Sequence, residues 1–278
     1  MLTDYHVHLR PDDPGTPAQR FFTPANAERY RAVASERGID ELGVSEHVYR
    51  FRQALDVWRH PFWAGQAVDD LDAYCGFVRE ETDLRLGIEA DFLPGREDRM
   101  ANLLEAGDWD YVIGSVHFLR DQAVDTDDEW DVWRDARSAE EVWKRYFRTL
   151  GEAAASGLFD VLAHPDLVKV WGGDRPRPDG DLRRFYELAM EGIAESRIAI
   201  EVSTAGLRKP VGEIYPDRAL LEWCLECGCP VVLSSDAHVP DQLGYRYGDA
   251  LGLLADVGVK ELCVFDRRRR RLEPVGEP

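Results

Sequence analysis

The chain is short of several things. No apolar run approaches the roughly 18 residues that a membrane-spanning helix needs, so no membrane partner is expected. There are only five cysteines among 278 residues, an odd number, and no secretory pattern is read ahead of them. A disulfide scaffold is thereby excluded, and a reducing cytoplasm is the expected compartment. Positive charge is also scarce: 34 Lys and Arg stand against 53 Asp and Glu, a net charge of −19. So acidic a surface repels phosphate backbones, which excludes sequence-independent binding of nucleic acid. It still admits a small phosphorylated metabolite, provided bound cations supply positive charge locally.

What is present is a strand–helix alternation over the whole length. Hydrophobic residues make up 44% of the chain, enough for a sizeable core. "LTDYHVHL" starts the series as a strand. A helix follows in "TPANAERYRAVASERG", with Thr23 as cap, Pro24 at its first position and Gly38 as its stop. The strands "ELGVSEH", "LRLGIEADF", "DYVIGSVHF", "FDVLAHPDL", "IAIEVST", "PVVLSSDAH" and "ELCVF" come next, each separated from the one before by a helical pattern. Such repeats predict a closed or nearly closed parallel barrel, one domain over residues 1–278. Cys224, Cys227 and Cys229 lie close together in "LLEWCLECGCPVVL" but lack a second pair, and they are read as core residues of a helix and strand. Two long charged loops, 51–70 and 119–138, carry Trp58, Trp63, Trp130 and Trp133, either as walls of a site or to pack the loops down. The basic run "DRRRRR" is expected to be a solvated end or a salt partner of the acidic body.

The polar residues fall in a telling place. "DYHVH" sets His6 and His8 on one face of the first strand, because alternate residues of a strand point the same way. His47, Glu89, Asp91, His117, His164, Glu201, Asp236 and His238 all lie at or just past the C-terminal ends of later strands, where barrel enzymes assemble their sites. Of the seven histidines only His60, in "WRHPFW", falls elsewhere, and it is read as a loop residue.

The ordered set HxH, "SEH", "GIEAD", "GSVH", "AHPD" and "SSDAH", with the phrase "EVSTAGLRKPVGEIYP", resembles the PHP (polymerase and histidinol phosphatase) family over nearly the whole chain, and within it the histidinol-phosphate phosphatase branch. The resemblance implies a distorted (β/α)7 TIM-like barrel and two or three divalent ions, zinc, iron or manganese. It implies that His6, His8, Glu89 and Asp236 hold one ion, that Glu89 bridges to a second held by His117 and His164, and that His47 and His238 hold a third. In the family a further ligand follows in the loop after HxH. Here that place is Pro14, and Asp13 or Asp12 is the expected substitute, with a binuclear site as the alternative. Asp4 is read as orienting a ligand rather than binding an ion.

Mixed imidazole and carboxylate donors suit zinc, iron or manganese better than calcium. Two such ions lower the pKa of shared water toward about 7, so a metal-bridging hydroxide is the expected nucleophile on phosphorus. Asp236 or His238 is the candidate proton donor to the leaving alcohol. Arg208, Lys209 and Arg50 are the candidate cations for the phosphoryl oxygens. Glu201 is a candidate for the amino end of the substrate or for orienting Arg208. The activity that the resemblance implies is hydrolysis of histidinol phosphate to histidinol and phosphate. The alternatives are a phosphatase for another small phosphoester such as a nucleotide or sugar phosphate, an amidohydrolase-like metal hydrolase, and a non-catalytic metal-binding barrel.

Overall fold

The computed structural model describes residues 1–11 and 18–276. Seven strands hydrogen-bond in sequence order, all parallel: β1 (Thr3–Asp4), β2 (Glu41–His47), β3 (Arg85–Asp91), β4 (Tyr111–Ser115), β5 (Val161–Leu162), β6 (Ala199–Ser203) and β7 (Val231–Ser234). Beyond its first residue, β2 is buried along its length, as is β3, the burial expected where helices cover a parallel sheet. Several of the helices between the strands start where side chains supply the missing acceptors. Thr23 caps Pro24–Glu36, Asp70 caps Leu71–Glu81 and Ser138 caps Ala139–Ala155. The last of these buries Val142, Trp143, Tyr146, Phe147 and Leu150, a stripe at helical spacing.

The sheet closes through the chain that carries the first histidines. Past β1, the His8 amide donates to the Ala237 carbonyl at 2.7 Å, and the Ala237 amide donates to the His6 carbonyl at 3.1 Å. On the other side the Ser45 amide donates to the Val7 carbonyl at 2.8 Å. HxH is thus stitched between the ends of β2 and β7, and closure itself brings His6 and His8 beside Asp236.

"ELCVF" departs from the expected barrel repeat. Glu261–Asp266 pairs antiparallel with Arg269–Pro274 in a separate ribbon. The cause is the two-residue turn at Arg267 and Arg268, both left-handed (φ 50° and 60°), which folds the chain straight back. The arginines of the basic run become ribbon residues and ion partners, Arg268 meeting Asp160 at 2.8 Å and Arg267 meeting Asp108. Phe265, Cys263 and Val264 close the N-terminal end of the barrel against Tyr5, Tyr111, Val161 and Ala199. Cys224 and Cys229 are buried in the core, and all five cysteines are free thiols. Among the described residues no helix is long and apolar enough to cross a membrane.

Candidate metal centre

Parallel register places the strand ends at one level: His47 pairs with Glu89 across β2 and β3, and Asp91 with Ser115 across β3 and β4. Six of the seven histidines converge there with Glu89 and Asp236. Glu89 lies at the centre with its two oxygens facing different imidazoles. Oε2 lies 3.3 Å from His6 Nε2, 3.6 Å from His8 Nε2 and 2.5 Å from His47 Nδ1. Oε1 lies 3.4 Å from His117 Nε2 and 3.2 Å from His164 Nε2. Asp236 Oδ1 sits 3.6 Å from His6 Nε2 and 3.4 Å from His8 Nε2. His238 Nε2 faces His47 Nε2 at 3.4 Å. Four overlapping donor groups, each within 4.8 Å, can hold ions: His6, His8 and Asp236; His6, Glu89 and His164; His47, Glu89 and His117; His8, His47 and His238.

Buried polar atoms are nearly always hydrogen-bonded, so those that are not need a reason. Among the described residues, His6 Nε2, both ring nitrogens of His8, His164 Nδ1 and Asp236 Oδ1 are all buried without a hydrogen-bond partner. Most of them point at one another across gaps that suit a shared cation, and the donor set is mixed nitrogen and oxygen. The residues therefore fit divalent metal ions of the zinc, iron or manganese kind. The backbone supports the same reading: Asp236 and His164 are held at φ 51° and 25°, a strain that persists where surrounding structure imposes it at a functional site.

Electrostatics bind the cluster together. Burial opposes charge on His6, but the carboxylates of Glu201, Glu89 and Asp236 hold its pKa well above the ordinary value. Burial likewise raises Glu89, yet His47, His6 and His117 hold it well below the usual carboxylate range. Burial opposes charge on His117, while Asp91 and Glu89 push it up to about 10. His8 goes the other way, driven down by burial and by His238 and His47.

A second ring of groups orients the first. Glu201 accepts from His6 Nδ1 at 2.8 Å, from the His164 amide at 2.6 Å and from Ser234 Oγ at 2.5 Å. Asp91 lies 2.8 Å from His117 Nδ1, and Ser115 Oγ donates to Glu89 Oε1 at 2.5 Å. Asp4 accepts from the Ser235 amide at 3.0 Å and from the Gly244 amide at 3.1 Å, so it fixes the residue before Asp236; burial pushes its carboxyl up to about 6.

A cavity of about 450 Å³ opens onto the cluster. Lys209 lines it, whereas Glu201, Arg208 and Arg50 do not. Arg208 instead donates through Nη2 to the carbonyls of Ser235 and Asp236, both at 2.8 Å. Arg50 is buried and pairs with Glu46, and its Nη1 also donates to the Arg10 carbonyl at 2.9 Å. Asp12 and Asp13 lie outside the described residues. The two long loops serve both expected purposes. Trp58 and Trp63 are buried, and the same loops bring Phe62, Ala123 and Asp125 to the cavity wall. His60 is buried too, stacked on Trp58 with ring centroids 4.2 Å apart. Sequence reasoning missed Tyr49, Asp125, Trp171 and Tyr215 as lining residues. Tyr49 was within reach, two residues past His47 on the same chain end; nothing local marks Asp125 among the acidic residues around it.

The model of the PHP domain matches residues 23–205. A relative from Deinococcus radiodurans named "Probable histidinol-phosphatase" is 34% identical over 98% of this chain and 99% of its own length. The histidinol-phosphatase of Bacillus subtilis is 28% identical over 61% of this chain and 68% of its own. In fold, the chain is similar to a histidinol phosphate phosphatase from Lactococcus lactis, solved in complex with zinc, L-histidinol and phosphate. That match has a TM-score of 0.70 and 18% identity, covering 97% of this chain and 98% of that one.

Proposed function

This chain belongs to the PHP domain family, and from that premise we propose that it is a metal-dependent phosphomonoesterase that hydrolyses histidinol phosphate to histidinol and phosphate. The observation that carries the reading is Glu89, whose two oxygens face separate sets of imidazoles at the floor of a cavity. His6, His8, Glu89 and Asp236 would hold one ion, Glu89 with His117 and His164 a second, and His47 with His238 a third. When bound, such ions activate water near neutral pH and neutralise phosphoryl oxygens as charge moves to the leaving oxygen.

The protein's own groups do the rest. Glu201 and Asp91 hold His6 and His117 through Nδ1, which leaves each Nε2 lone pair aimed inward. Arg208 grips the carbonyls of Ser235 and Asp236 and, with Asp4 on Ser235, fixes the strained turn that presents Asp236. Lys209, at the cavity wall, receives a phosphoryl oxygen. Asp236 or His238, whose side chains keep 15% and 18% exposure at the cavity, would accept the proton that the attacking water gives up and pass it to the leaving oxygen. The aromatic wall of Tyr49, Phe62, Phe118 and Trp171 takes the organic part of the substrate and excludes water around it. Residues 1–278 act as one catalytic domain, and the free thiols suit a reducing cytoplasm.

The test is phosphate release from histidinol phosphate by purified protein of measured metal content. Turnover that requires at least two ions per chain supports the reading. Full metal occupancy with turnover of nucleotide or sugar phosphates in preference to histidinol phosphate would replace the substrate and keep the chemistry.

A further inference from the structure

The cavity wall carries one carboxylate outside the metal cage and its supports. Asp125 lies half-buried on the wall shared with His117, Phe118 and Trp171. Among the described residues its carboxylate has no hydrogen-bond or ion-pair partner. The chain beside it is nonetheless fixed. Val124 is fully buried; its amide donates to the His117 carbonyl at 2.9 Å, and its carbonyl accepts from the indoles of Trp171 at 2.8 Å and Trp133 at 3.3 Å. A carboxylate set on so constrained a backbone is preorganised, and it loses little freedom when a ligand arrives.

The cavity wall carries two opposite chemistries. The imidazole cage and Lys209 suit the phosphate, and a phosphate placed against Asp125 would meet like charge. What Asp125 matches is a cation. We propose that Asp125 is the specificity residue of this site, accepting a charged hydrogen bond from the ammonium group of an amino-alcohol phosphate while Trp171 and Phe118 flank the substrate's ring. The assignment rests on the phosphatase reading given above and adds to it the group by which an amine-bearing substrate is told from an uncharged one.

The experiment compares fully metal-loaded wild type and Asp125→Asn on two esters, histidinol phosphate and the analogue lacking only its amino group. A charge-assisted hydrogen bond is worth roughly 1.5–3 kcal/mol, or about 10–100-fold. Wild type is expected to prefer the amine-bearing ester, and in Asp125→Asn that preference in kcat/KM collapses by about this factor, mainly through KM. Metal content and melting temperature stay at the wild-type values. Equal losses on both esters, accompanied by lost metal, would show Asp125 acting through His117 and overturn the assignment. So would an unchanged preference. Wild-type protein that is metal-loaded yet cleaves neither ester overturns the phosphatase reading and this assignment with it, a pattern distinct from both others.

Discussion

His6 Nδ1 lies 2.8 Å from Glu201 Oε1, and Nε2 of the same ring lies 3.3 Å from Glu89 Oε2. One imidazole thus bridges two buried carboxylates 112 positions apart in the sequence (201 minus 89). Glu201 sets the tautomer, so the opposite nitrogen presents its lone pair to the centre.

The first prediction follows from that bridge. Glu201→Gln is expected to weaken metal affinity by about 10–100-fold, the usual scale for a lost orienting partner. Metal titration followed by calorimetry reads it. Unchanged affinity with a raised KM for histidinol phosphate would instead return Glu201 to the substrate.

Glu89 is the group both halves of the cage share, so Glu89→Ala is expected to lose activity by at least about 10²–10³-fold together with bound metal. Chelation of the wild type should do the same reversibly. It should also lower the melting temperature, because an ion present at about 1,000 times its Kd stabilises the fold by about 4 kcal/mol. Metal analysis, phosphate release and a thermal melt check all three. A Glu89→Ala protein with normal turnover would remove the proposed centre.

Lys209 lines the cavity but is exposed, so solvent weakens its pull. Lys209→Ala is expected to raise KM about 3–10-fold with little change in kcat, and the difference should shrink in high salt. Kinetics at two ionic strengths decide it.

Asp70 caps the helix Leu71–Glu81, and the hydrogen bond from the Ala73 amide holds its carboxyl below the ordinary 3.8. A carboxyl depressed on folding adds stability that is present above its unfolded value and is lost as pH falls through the lower, folded one. Asp70→Ala should therefore cost about 1 kcal/mol near neutrality. Asp70→Asn, which keeps the cap but not the charge, should differ from wild type near neutrality and converge with it as pH drops below about 4. Denaturant melts across that range measure both.

Gly87 sits in β3 where an added Cβ would strike the ring of Tyr111. The ring is wholly buried and its hydroxyl donates to the Tyr5 carbonyl at 2.6 Å, so it has no room to yield. Gly87→Ala is expected to cost about 1–3 kcal/mol, the range for overpacking, read as a lower denaturation midpoint.

Much of this was legible before any fold was known. Strand–helix alternation marks the parallel barrel because each element's period shows which face it buries, and parallel strands need helical crossovers. The histidines at strand ends were visible for the same reason, since each follows a β-branched or apolar run that must end at the active face. "ELCVF" was misplaced because a buried strand looks alike in a barrel and in a ribbon; the left-handed Arg267–Arg268 turn that separates them has no glycine to announce it. Glu201 could not be assigned either, because its partner His6 is 195 positions away.

The sequence by itself determined which donors exist, what chemistry they favour and that strand ends would gather them, because these depend on residue type and local period. Only the tertiary structure decided which carboxylate sits between the two sets of imidazoles, which ones stand behind them and that Asp125 faces the cavity with no hydrogen-bond partner among the described residues. Those roles depend on distances of a few ångströms between segments far apart along the chain, and barrel closure and loop packing set them.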